Sequence, residues 1–182
     1  MKKILKFLIY SLLFIFAFLY FLPKENLYYL LLENLKKEKI VVSNEYIKDT
    51  GFALELEGID VKYQNISVVN TKDIDINSYF FVTNIDIRQT KLDGIMSSFV
   101  PDKISKLNIK YSIFNPTVVS IFSTFNLGSC SGEVDLINRV VNLDIKVSKK
   151  FKRKYRLVVN KLKLDKTRKD KNMEYYKYEY KF

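Results

Sequence analysis

The residues closest to a catalytic arrangement are Gly128-Ser129-Cys130-Ser131-Gly132. They match the G-x-S-x-G nucleophile elbow with Cys in the central place. An elbow needs a strand, a sharp turn and a helix, together with a base that takes the proton. Gly132 leads into a strand-like run instead, and the chain contains no His. The segment therefore reads as a small-residue turn or bulge. The missing His also removes Ser-His-Asp and Cys-His chemistry and any His-ligated metal site. Cys130 is the only cysteine, so neither an internal disulfide nor a thiolate cage can form. Asp73, Asp75 and Asp86 have the chemistry of an acid–base or metal cluster, but on alternating strands they fall on the wet face. Five glycines supply no phosphate-cradling loop. No catalytic residue, cofactor site or metal site is expected, and the chain does not read as an enzyme.

The sharpest charge feature is Lys149, Lys150, Lys152, Arg153, Lys154 and Arg156. Such a run suits an anionic partner: lipid headgroups, lipopolysaccharide or nucleic acid. Tyr175, Tyr176, Tyr178, Tyr180 and Phe182 offer faces on which bases stack. A solvated loop followed by an edge strand explains the same residues. Of the partner readings, a membrane or anionic glycolipid is the stronger and nucleic acid the weaker. The net charge of +11 is unevenly placed. Residues 1–22 hold three lysines and no acid, residues 23–147 hold 14 basic and 16 acidic residues, and residues 148–182 hold 14 and 4. Any anionic partner should therefore be lost with the tail while the body survives.

Something must hold and position these groups, and the amino terminus proposes a membrane. Phe7 to Leu22 is an uncharged run of 16 residues, or 19 counted from Ile4 with Lys6 reaching back to the interface. A spanning helix needs ~20. Phe7, Leu8, Leu12, Phe14, Phe16, Phe18 and Leu22 are the anchor candidates. A cleaved signal peptide is disfavoured, because Ala17 to Pro23 is crowded with bulky aromatics where small residues are wanted. Tyr10 and Tyr20 suit the two interfaces. A signal-anchor of this kind places the remainder outside the cytoplasm: single-pass in a bacterial inner membrane, with the C-terminal domain in the periplasm. Pro23 ends the helix. Leu27, Leu30, Leu31, Leu32 and Leu35 then have helical spacing within Lys24–Lys39. That segment reads as an amphipathic helix on the membrane surface or under the domain, its leucines capping the core.

From Ile40 the period becomes two, the mark of antiparallel strands with one buried and one wet face. The runs are Phe52–Leu56, Ile59–Tyr63, Ile74–Ile76, Phe81–Ile87, Leu107–Ile113, Val134–Leu136 and Val141–Val147. Gly58, Asn65, Asn70, Asn77-Ser78 and Asn138-Arg139 read as turns. Thr90 to Ile104 reads as a short helix or loop crossing between two groups of strands, and Pro116 to Phe125 fits a helix turn or a strand. In the tail, Tyr155, Leu157 and Val159 alternate as a strand, as do Leu162 and Leu164. Residues 166–172 form a charged loop, and Tyr176, Tyr178 and Tyr180 mark an edge strand whose lysines discourage aggregation. The expected fold is mainly β: one N-terminal transmembrane helix, then an antiparallel sheet domain with one or two short helices. The expected parts are a stub and anchor at 1–22, a juxtamembrane helix at 23–39, the β-domain at 40–147 and a basic, Tyr-rich extension at 148–182.

Three features together carry a resemblance. They are the anchor ending in Leu22-Pro23 with its leucine segment, the run Thr50-Gly51-Phe52-Ala53-Leu54-Glu55-Leu56-Glu57-Gly58-Ile59-Asp60-Val61, and the Gly128 to Val147 turn and strand pair with Gly-Glu-Val-Asp-Leu. Over residues 5–147 the chain resembles the type II secretion system protein N family and, more loosely, the AsmA-like envelope proteins. The resemblance implies an inner-membrane anchor and a periplasmic β-rich domain without catalytic residues. It also implies an accessory role, with other subunits, in a type II secretion-like or transformation (DNA-uptake, competence) apparatus. The alternative it leaves is a lipid-handling protein, AsmA-like or lipopolysaccharide-transport-like. There Phe52, Leu54, Ile59, Val61, Phe81, Ile85 and Ile109 would line an open apolar groove instead of a closed core.

Overall fold

The computed structural model describes residues 2–79, 81–94, 101–168, 170 and 172–182. The chain begins with helices α1 (Lys2–Tyr20) and α2 (Lys24–Lys37). The strands follow as β1 (Ile40–Ser43), β2 (Tyr46–Asp49), β3 (Ala53–Tyr63), β4 (Ile66–Tyr79), β5 (Val82–Leu92), β6 (Lys103–Ser112), β7 (Val118–Phe125), β8 (Gly128–Asp135) and β9 (Val140–Ser148). Two short helices, α3 (Lys149–Lys154) and α4 (Arg156–Val159), precede β10 (Lys163–Leu164) and β11 (Met173–Lys181). The strands form one 11-stranded sheet in the order β1-β3-β4-β5-β6-β7-β8-β9-β11-β10, with β2 also on β3. The pairings are antiparallel throughout. The mainly β architecture is as the alternation predicts.

Directly paired residues of an antiparallel sheet share a face, so the register defines that face residue by residue. One ladder runs Leu56, Ile74, Ile87, Leu107, and the next runs Leu54, Ile76, Ile85, Ile109, Ile121, Gly132, Leu143, Tyr178. The opposite face carries Glu55, Asp75, Asp86 and Asn108. Across four strands the apolar spacing stretches once from two to three: Leu56 to Ile59, Ile74 to Thr71, Ile87 to Thr90 and Leu107 to Ile104. The stretch falls on Gly58, Lys72, Gln89 and Ser105, which the pairing skips. Gly58 (φ 62°) and Gln89 (φ 52°) are left-handed there, a conformation that costs little at Gly. This line of skipped residues keeps the same face apolar on both sides, with the register unchanged across it from β3 to β6 and a bulge at Ser105 against β7.

The line corrects several turns expected from the sequence. Gly58, Asn70 and Asn77-Ser78 all lie inside strands, whereas Asn65 and Asn138-Arg139 do form turns. Nor does Thr90 to Ile104 cross between groups of strands. β5 continues to Leu92, β6 begins at Lys103, and the two are hydrogen-bonded neighbours; residues 95–100 of that segment lie outside the described residues. Pro116 to Phe125 resolves into β7.

Two small cores lie on the apolar face, at opposite ends of the sheet. The first packs Tyr28 of α2 on Leu54, Leu56 and Ile59, with Leu32, Val42, Ile47 and Ile74 around them. α2 is thus under the domain, while Leu27, Leu30 and Leu31 face outward. The second packs Phe151, Tyr155 and Val159 on Val147 and Tyr176. These three are four apart, so they share one helical face, and Ser148 caps that helix by accepting from Phe151 N at 3.4 Å. The expected strand at Tyr155–Val159 is therefore helix. The final strand is as expected, and β10 covers it only at Tyr176 and Lys177.

Under the sheet, the Thr71 and Thr90 hydroxyls are buried and 3.0 Å apart. Removing one strands the other, which costs about 1–3 kcal/mol, whereas removing both can be nearly neutral. Thr71→Val is expected to lower stability by about 1–2 kcal/mol, and the Thr71→Val/Thr90→Val pair to recover most of it, as chemical denaturation would record.

α1 carries apolar side chains on every side, and those from Ile4 to Phe18, with Tyr20, are exposed. At ~1.5 Å per residue its 19 residues measure ~28 Å, against ~30 Å of bilayer hydrocarbon. Among the described residues no helix is long and apolar enough to cross a membrane. Its C-terminal end meets the domain. Phe16 and Tyr20 pack edge-on against Phe52, with ring centroids 6.3 and 5.3 Å apart.

Candidate functional site

The middle of the apolar face belongs to neither core. α2 covers its β3 side and α3–α4 its β9 side. Between them Ile85, Ile87, Leu107, Ile109 and Ile121 are half-buried by their neighbours in the sheet and belong to neither core. α3 reaches as far as Phe125 of β7 and Asp102 before β6, but the row Ile85, Ile109 and Ile121 has no covering helix, within a span of roughly 15–20 Å from β5 to β8 at ~4.8 Å per strand. The groove expected from the sequence is thus present only in part. Ile85 and Ile109 lie on the open stretch. Leu54 and Ile59 are sealed beneath α2, with Val61 packed against that core. Phe52 packs on α1, and Phe81 stands at the end of the sheet against Phe114.

An open cavity of about 1110 Å³ lies at the β7–β11 side. Its lining includes Ile121, Leu143 and Tyr178 of the apolar ladder, together with Leu162. Lys161, Lys163, Lys177 and Lys181 border it against Glu133, Asp144 and Glu179. Lys177 is partnered by Asp165 at 3.8 Å. The combination suits an amphiphile with an acidic head, since charge and apolar area meet in one concavity.

The basic segment is a helical one. Lys149, Lys150, Lys152, Arg153, Lys154 and Arg156 are all exposed on α3 and α4, while Phe151 and Tyr155 point into the core. Two of the six are spoken for: Lys152 pairs with Glu174 at 3.1 Å and Lys154 with Asp102 at 3.3 Å. The Tyr176 hydroxyl donates to Glu174, and that bond with Lys152 holds the Glu174 carboxyl below its usual range. Lys154, then the Tyr155 hydroxyl, do the same for Asp102. A depressed carboxylate contributes stability above its unfolded pKa, ~4, and loses it as pH falls through the folded value. These pairs tie α3 to β11 and to Asp102, so hydrogen-exchange protection over residues 149–159, taken relative to the unfolded chain at the same pH, is expected to fall below about pH 4. The Glu174→Gln/Asp102→Asn variant should exchange faster at neutral pH and lose most of that acid dependence.

The elbow-like segment forms the first five residues of β8, paired on both sides, and not a turn. Burial, then Asp144, pushes the Cys130 thiol up to about 11, so it is a neutral thiol at physiological pH. Asp75 pairs with Arg88 and Asp86 with Lys106. Burial pushes Asp86 up, but Asn108, Lys106 and Asn84 outweigh it and hold the carboxyl low. Among the described residues, no three His, Cys, Asp or Glu are grouped to hold a metal.

No family model, curated protein or solved structure matches the chain.

Proposed function

We propose that the chain is a membrane-anchored, non-catalytic protein whose sheet holds the acyl part of an acidic amphiphile. The observation that carries this is the apolar ladder across β5–β8, left open between two helices that cover the same face on either side. A sheet face of this kind costs free energy in water, and large contiguous apolar patches mark binding surfaces. The lysines around the adjacent cavity suit the acidic head. α1 is the anchor, with Phe7, Phe14 and Phe18 in lipid; Lys6 snorkels, and local thinning offsets the shortfall in length. The compartment that fits is the outer side of a bacterial inner membrane.

Mass spectrometry of lipids co-purified with the full chain tests this reading. Lipid carried by α1 alone sets a baseline. Ile85→Asp/Ile109→Asp should reduce bound lipid to that baseline, at least a twofold loss. Equal lipid content in the two proteins would overturn the proposal.

One observation favours a second reading, an accessory subunit of a type II secretion-like or DNA-uptake apparatus. Tyr178 to Lys181 present a strand edge beyond β10, and such an edge accepts a partner strand. Tyr180→Asp, on the same edge but outside the cavity lining, should then disrupt the assembly without changing bound lipid.

A further inference from the structure

The sheet has two rims, and they differ in kind. The register places Phe52, the β4–β5 turn, the β6–β7 loop, the β8–β9 turn and the chain end together on one rim. Backbone bonds knit that rim: Ser78 N donates to Phe52 O, Ile113 N to Phe81 O, Leu136 N to Thr117 O and Phe182 N to Arg139 O. α1 meets the domain at this same rim, through Phe16 and Tyr20 on Phe52.

Turn tips are ordinarily small or polar. Here they carry Phe81, Ile113, Phe114, Leu136, Ile137 and Phe182, all exposed, with Phe114 at 77 % and Ile137 at 73 %. The turns are built to hold them out. Asp135 accepts from Ile137 N and Asn138 N at 3.0 and 2.8 Å. Ser112 Oγ accepts from Phe114 N at 3.3 Å, and Phe114 packs on Phe81 with centroids 5.1 Å apart and the rings tilted by 44°. The opposite rim turns on the polar tips Gln64-Asn65 and Asn126, with Tyr63 and Ile66 exposed beside the first, and bears the basic α3.

We infer that this apolar rim rests in the surface of the bilayer that holds α1, so that the open sheet face ends at the membrane. Three separate turns, with Phe182 beside them, bring aromatic and aliphatic tips to one level, as in interfacial membrane binding. Arg139 and Lys181 lie on the same rim, at hand for lipid phosphates. An amphiphile then passes between bilayer and sheet without crossing water. The basic α3 stands ~30 Å away, a strand length of nine residues at ~3.3 Å each, so its partner is not this membrane surface.

The inference rests on α1 as the anchor, and the experiment separates the two. The full chain, with Cys130→Ser, is reconstituted into vesicles of phosphatidylethanolamine and phosphatidylglycerol containing a nitroxide-labelled lipid. A fluorophore is attached at Phe114→Cys, Ile137→Cys or Asn65→Cys. The first two positions should be quenched at least threefold more than Asn65. Equal quenching at all three positions, or none at the first two, overturns the inference. Carbonate extraction reports the anchor independently: a protein that is extracted yet was quenched at the rim refutes the anchor and keeps the rim.

Discussion

Phe151→Ala is expected to destabilise the fold by about 3–5 kcal/mol, the usual cost of emptying an aromatic core site. Phe151 is 4 % exposed and packs between Phe125 and Tyr155, with centroids 5.6 and 4.7 Å away. Domains of this size are stable by about 5–15 kcal/mol in all, so the loss is a large share. Little can compensate, because the sheet has no continuous core. Its buried apolar side chains fall into two clusters at opposite ends, and the α2 cluster cannot take up the void. Lys150→Glu/Arg153→Glu, one turn of helix away on the wet side, should instead change stability by no more than about 0.5 kcal/mol. Thermal unfolding of the three proteins distinguishes a structural tail from a detachable one. Loss of stability in the charge variant equal to that of Phe151→Ala would place the tail's role in its charge.

This contrast also corrects the expectation that the tail can be removed with its partner. Residues 148–182 supply Phe151, Tyr155, Val159 and Tyr176 to the second core, and β11 pairs with β9 along nine residues. Deleting them would expose Val147, now fully buried, and open the edge of β9.

The error has a physical source in the residues themselves. Tyr155, Leu157 and Val159 alternate, which suits a strand; Phe151, Tyr155 and Val159 recur every four, which suits a helix. Leu157 decides between them, being exposed, and nothing in a single sequence shows that. Ser148 before Phe151 was the legible signal, as an N-cap. The strands of the body were legible because their ladders cross the whole sheet with the same apolar face. Their lengths were not. The skipped residues at Gly58 and Gln89 mimic an interruption in each strand, yet the pairing continues beyond them in the same register. The open face was legible as a set of residues, but not which of them α2 would seal. The apolar rim was hidden altogether, since Phe81, Phe114 and Ile137 lie far apart in the chain and meet only through the register.

Gly132→Val tests the tightest contact in the sheet. A Cβ at Gly132 would stand 2.1 Å from the Asn142 carbonyl oxygen and 2.9 Å from Leu143 Cα. Gly128 has the same relation to Lys146 and Val147. These obstacles are backbone atoms of β9, so no rotamer change relieves them, and β8 must draw away from its hydrogen-bonded neighbour. Overpacking ordinarily costs 1–3 kcal/mol, and the loss of ladder bonds puts this case at about 3 kcal/mol or more. For a chain of this length that is a fall in Tm of roughly 6–12 °C. Gly94 is the control. A Cβ there meets nothing within 4 Å, and only its left-handed φ of 63° is at issue, so Gly94→Ala should cost about 1–2 kcal/mol. The site responds along with stability. Gly132 sits in the ladder between Ile121 and Leu143, so displacing β8 breaks the apolar face where it reaches the cavity. Bound lipid should fall with Gly132→Val and hold with Gly94→Ala. A Gly132→Val protein as stable as the parent would mean that β8 and β9 are not packed this closely.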